Sequence, residues 1–132
     1  MNTKPSRFAG ILRWLPALIL MAVIFALSST PSTDLPNYGF WDALVKKGGH
    51  VAGYTLLSLS YWYGLGFDPQ KGWLAWLLAV LYAITDEVHQ AFTPGRTPSA
   101  TDVLVFDAFG ALLGCAIGRL VQKHTKPAVF HS

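Results

Sequence analysis

The chain alternates four long apolar stretches with short polar ones. Residues 14–27 carry no charged side chain, and neither do residues 49–67 apart from His50 at their start. Residues 73–85 are again free of charge, and a last apolar stretch runs to residue 121 with Gly110, Gly114 and Gly118 spaced four apart. With the turns that flank it, each stretch makes a helix of 18 to 20 residues, close to the roughly 20 needed to cross a hydrocarbon core of about 30 Å. The pattern predicts helices over about residues 11–28, 49–67, 73–92 and 102–121. The connection over residues 66–72 is so short that the second and third must be antiparallel neighbours. Pro31 and Pro36 mark a polar loop after the first helix, and Pro94, Gly95 and Pro98 a compact turn after the third. The expected fold is all-α, an integral membrane four-helix antiparallel bundle forming one domain over residues 1–132.

Composition strengthens the membrane reading. Charged residues make up 13% and hydrophobic ones 52%, with a mean hydropathy of +0.38; the charged share is about half that of a soluble domain. Lys4, Arg7 and Arg13 precede the first run, a flank that also describes a signal peptide, with Ala26-Leu27-Ser28 offering small residues for cleavage. With four spans both termini share a side, and their basic residues, including Arg119, Lys123 and Lys126, place that side in the cytoplasm. Lys46, Lys47 and Arg96 fall on the opposite face; if they belong to a site, they do not count against this orientation. The net charge of +3 is small and no nucleic-acid surface is expected. The single Cys115 excludes an internal disulfide and is read as a small packed residue.

The third helix ends in Asp86-Glu87-Val88-His89-Gln90. A helix entering near Trp73 has risen only about 20 Å by Asp86, so both carboxylates belong inside the membrane, where a charge at the centre costs about 2.5–3.5 kcal/mol on insertion scales. Four of the seven acids, Asp86, Glu87, Asp102 and Asp107, lie on the third and fourth helices at or below one face. On the second helix Lys47, His50 and Tyr54 are spaced to share a face; on the third Asp86, His89 and Gln90 do, with Glu87 turned about 100° away. Taken singly, Lys47 is a snorkelling lysine, His50 a satisfied polar residue, Tyr54 core or interfacial belt, Arg96 a loop charge and Asp102 a helix-start anion. As a constellation they point to function. The small-residue array of Gly110, Gly114 and Gly118 suits packing within the bundle, with a homodimer seam as the lesser use.

These residues resemble the VanZ family of small bacterial membrane proteins: Lys47-x-x-His50-x-x-x-Tyr54, then Asp86-Glu87-x-His89-Gln90-x-Phe92-x-Pro94-Gly95-Arg96-x-Pro98-Ser99-x-x-Asp102, then Gly110 and Gly114. The resemblance implies an envelope protein linked to low-level resistance to teicoplanin and related glycopeptides, with no settled catalytic mechanism. The position of Asp107 resembles one where the family often has Asn, which alters the charge balance.

Two functional classes follow. In the first, Lys47, His50 and Arg96 hold the anionic group of a membrane lipid or lipid-linked envelope precursor, with Tyr54, Asp86, Glu87, His89, Gln90, Asp102 and Asp107 completing the site. In the second, Glu87 acts as general acid or base with Asp86 and His50, on a lipid-linked phosphate substrate. A metal at His50, His89 and Asp86 is weakly indicated, since no His-Glu-x-x-His pair occurs, and no cofactor is expected. A third reading makes the polar cluster only interhelical glue.

Overall fold

The computed structural model describes residues 6–97 and 99–125. Lys4, Pro98, Lys126 and the side chain of Asp102, all invoked above, lie outside the described residues. Among those described the chain is helical throughout, with no strand. The first rod comprises α1 (Arg7–Leu12) and α2 (Leu15–Ser28). Ser6 caps α1, its hydroxyl accepting from the Ala9 N–H at 3.2 Å. The two segments meet at a turn because Pro16, near the start of α2, has no N–H to continue the ladder.

Helix α3 spans Asp42–Gly64 and begins seven residues before the start expected at Gly49. The Asp42 carboxylate accepts from the Tyr38 N–H at 3.3 Å and pairs with Lys46 at 2.8 Å, which stabilises a polar first turn that hydropathy alone does not register. The helix stops at Gly64 rather than residue 67. Gly66 (φ 75°) and Phe67 (φ 53°) turn left-handed there. Helix α4 spans Gly72–Gln90. Residues Asp102–Asp107 wind into a wider π-type turn, with the Ala108 N–H donating to the Val103 carbonyl, before α5 (Ala108–Thr125). The fourth helix therefore opens on an irregular turn, which an apolar-periodicity argument could not foresee.

Contacts fix the arrangement. Gly110, Gly114 and Gly118 of α5 face Val51, Thr55 and Trp62 of α3 in ascending order, so these two helices run parallel. Tyr82 of α4 donates to the Met21 carbonyl of α2 at 2.6 Å, and Gln90 reaches Ser28, so α2 and α4 also run parallel. Consecutive rods consequently alternate in direction. The interior of α4 is a stripe of small residues, Gly72, Ala75, Ala79 and Ala83, ending in buried Asp86 and Gln90. Opposite it stand the larger Leu57, Tyr61 and Trp62 of α3. The glycine stripe of α5 is used within the chain, where it lets the α3 and α5 backbones approach.

Large apolar side chains face outward instead. Leu18 and Ile19 on α2, Leu56 on α3, Leu81 and Val88 on α4, and Leu112 and Leu120 on α5 are all exposed. Arg7–Ser28 and Val103–Thr125 are long and apolar enough to cross a membrane. With 23 and 19 residues, α3 and α4 are about 34 and 28 Å long. Their apolar character is diluted at the end where the polar residues gather.

Candidate ligand-binding cavity

One end of the molecule brings together the C-terminus of α2, the N-terminus of α3, the C-terminus of α4 and the loops that follow α2 and α4. Their meeting encloses a cavity of about 510 Å³. Ile24, Leu27 and Leu35 supply apolar wall, and Lys46, Lys47, His50 and Arg96 supply positive or ionisable groups. Tyr54, Asp86 and Gln90 complete the polar lining from α3 and α4.

Each of these groups is held by its surroundings. His50 Nδ1 lies 2.8 Å from Asp107 Oδ1, and Asp107 is almost fully buried behind it. A carboxylate accepts only, so the proton between them sits on Nδ1 and Nε2 is the remaining imidazole nitrogen. Lys47 Nζ stands 4.5 Å over the Phe106 ring, a cation–π contact with the π-type turn. Lys46 is tethered to Asp42; its hydrogen bond, with that of the Tyr38 N–H, holds the Asp42 carboxyl below the usual range. Gln90 Nε2 donates to Asp86 Oδ2 at 3.3 Å and to Ser28 Oγ at 3.2 Å.

The far wall depends on how α2 ends. A helix leaves its last carbonyls without intrahelical partners, and here each finds one. Ser29 Oγ donates to Phe25 O at 2.8 Å and Thr30 Oγ1 to Ala26 O at 3.0 Å. Arg96 Nη2 donates to Leu27 O at 2.7 Å, and Thr93 Oγ1 to Ser28 O at 3.0 Å. Arg96 Nε adds a bond to Thr30 O at 3.1 Å. The loop after α4 is thus a cap for α2, and the guanidinium lines the cavity while holding the helix end. Gly95 (φ 72°) makes the close turn over which Ser32 packs, and Ser32 N donates to Pro94 O at 3.3 Å.

Of the residues singled out from sequence, Lys47, His50, Tyr54, Asp86, Gln90 and Arg96 line one cavity. Asp107 stands behind His50. Glu87 and His89 are not part of the lining among the described residues. Glu87 accepts from the Ser99 N–H and so anchors the turn after α4. His89 stacks on Phe25 at 4.3 Å between ring centroids and bonds Ser29 Oγ at 2.8 Å. Asp86, His89 and Gln90 leave α4 within about 100° of one another, yet only Asp86 and Gln90 line the cavity, because His89 at the edge of that face is held by Phe25 and Ser29. His50, His89 and Asp86 accordingly do not converge as a ligand set, and no group of three metal-ligating side chains gathers among the described residues.

Residues 12–122 match the VanZ/LLP1 family. The chain belongs to this family. No curated protein and no solved structure matches it. In this VanZ/LLP1 chain, sequence reasoning missed the polar lining residues Ser28, Ser32, Tyr38 and Thr97. The signal was the run Ser28-Ser29-Thr30 directly after an apolar helix, which reads equally as loop or as helix end.

Proposed function

We propose that this protein is an envelope membrane protein whose four helical rods all span the bilayer, with both termini cytoplasmic, and that its cavity takes the anionic headgroup of a membrane lipid or lipid-linked wall precursor. The observation that carries this reading is the gathering of Lys46, Lys47, His50 and Arg96 around one cavity with apolar walls. An apolar outer surface on every rod supports the spanning arrangement, because a soluble monomer rarely exposes such large apolar patches. The first helix stays with the chain in this reading, since its last carbonyls and Ser28 are part of the cavity wall. Occupation of the site by a lipid-anchored precursor alters the exposure of glycopeptide targets, which accounts for an effect on teicoplanin susceptibility.

Native mass spectrometry of the full chain in detergent tests the proposal with phosphatidylglycerol as probe. Lys46→Gln combined with Lys47→Gln should reduce lipid retention about tenfold, the loss expected for charge-assisted contacts. Retention unchanged by the double substitution, or absent in the wild type, would overturn it. In a susceptible host, the same substitutions should abolish any rise in teicoplanin tolerance at equal expression.

The His50–Asp107 bond favours a second reading. A histidine oriented by a buried carboxylate and lining a cavity is suited to general acid–base chemistry on a lipid-linked phosphate, with Asp86 beside it. Glu87 is better placed to position the turn than to act on a substrate. Turnover of such a substrate by purified protein, lost in His50→Gln, separates the enzyme from the binding protein.

A further inference from the structure

Asp86 Oδ1 and the Tyr54 hydroxyl are buried without a hydrogen-bond partner among the described residues. Asp86 is 5% and Tyr54 2% exposed, and both residues line the cavity. A buried group left unmatched costs roughly 1–3 kcal/mol, more when it is charged, so a pair of orphans at the floor of a formed cavity marks a place for matching donors. Gln90 already occupies Asp86 Oδ2. The remaining oxygen accepts only, and in apolar surroundings its best partner is a positively charged N–H donor.

The cavity is therefore dipolar. Lys46, Lys47 and His50 sit on the first turns of α3, while Tyr54 lies four residues below His50, about 6 Å along the helix axis. Asp86 approaches the floor from α4, and the wall between them is helix and apolar side chain.

Resting on the anion-binding reading above, we infer that the ligand also carries a primary ammonium, seated on Asp86 Oδ1 and the Tyr54 hydroxyl, about one helical turn below His50. A phosphoethanolamine headgroup has this chemistry, and so does a free amino-phosphate entering from water. A purely anionic headgroup can accept from the Tyr54 hydroxyl but leaves Asp86 Oδ1 unmatched.

The test compares phosphatidylethanolamine with phosphatidylcholine on the full chain by native mass spectrometry, with phosphatidylglycerol as the anion-only probe. The first two lipids share the phosphate and differ in their N–H donors. Wild-type protein should retain phosphatidylethanolamine over phosphatidylcholine by about tenfold, the worth of a charge-assisted hydrogen bond. Asp86→Asn should bring that ratio close to one, and Tyr54→Phe, which removes a single oxygen, should reduce it by a smaller factor. Soluble phosphoethanolamine displacing the bound lipid would identify a free ligand, and failure to displace it a headgroup; either agrees with the inference. A ratio near one in the wild type, with phosphatidylglycerol retained, overturns the inference and leaves the anion site standing. A preference that survives Asp86→Asn overturns it too. Retention of none of the three lipids by folded wild-type protein would bring down both.

Discussion

Gly110→Ala is the most direct probe of the contact that builds the site. A Cβ at this position would stand 2.5 Å from the Val51 carbonyl oxygen and 3.0 Å from the Val51 Cα. Ordinary contact begins at 3.4 Å, and the obstacle is backbone, so α5 must withdraw from α3 by about 0.9 Å. Two bonds cross this seam nearby: Thr55 Oγ1 to Gly110 O at 2.9 Å, and His50 Nδ1 to Asp107 Oδ1 at 2.8 Å. The same withdrawal takes them to about 3.8 and 3.7 Å, past hydrogen-bond range. Overpacking costs about 1–3 kcal/mol and each lost bond about 1 kcal/mol, with partial relaxation between them, so the expected loss is roughly 2–4 kcal/mol. Thermal melting followed by circular dichroism in detergent reads this loss. Gly48→Ala is the control: its Cβ meets nothing within 4 Å, and the exposed helical position should become more stable by about 0.5–1 kcal/mol. If Gly110→Ala melts no lower than wild type, α3 and α5 do not pack backbone to backbone, and the geometry of the His50–Asp107 pair falls with them.

Other consequences can be measured separately. Arg96→Ala removes the donors to the Leu27 and Thr30 carbonyls, so hydrogen exchange over residues 27–38 should accelerate by about tenfold or more, while the α3–α5 seam is unaffected; equal protection would refute the capping role. Asp107→Ala leaves His50 Nδ1 without its acceptor and should cost about 1–3 kcal/mol, whereas Asp107→Asn keeps an acceptor and should cost less; the reverse order in melting would refute the pairing. In a Cys115→Ser background, Thr97→Cys should react with an impermeant thiol reagent from outside intact cells; labelling only after lysis would invert the orientation. Cys115 itself, buried with Sγ 3.3 Å from the Gly72 carbonyl, should resist the same reagent in the folded protein.

Much of the site was legible before the fold because charge is costly in an apolar setting. The carboxylates at the end of the third apolar run, and Lys47, His50 and Tyr54 at one-face spacing on the second, announced that two helix ends must meet. Short connections then dictated which ends those were. Glu87 and His89, expected in the site, stand outside the cavity lining. Their placement depends on small angular offsets around α4 and on which neighbour, Ser99 or Phe25, stands beside each.

The chain by itself determined the helical class, the alternation of the rods and the end at which polar groups collect, because hydrophobic period and loop length are local properties. Tertiary structure alone decided that Asp107 pairs with His50, that Arg96 caps α2 and that Asp86 Oδ1 is left facing a cavity. Those outcomes depend on groups 57 and 69 residues apart meeting within 3 Å, and the first of these distances is set by how closely Gly110 lets the α3 and α5 backbones approach.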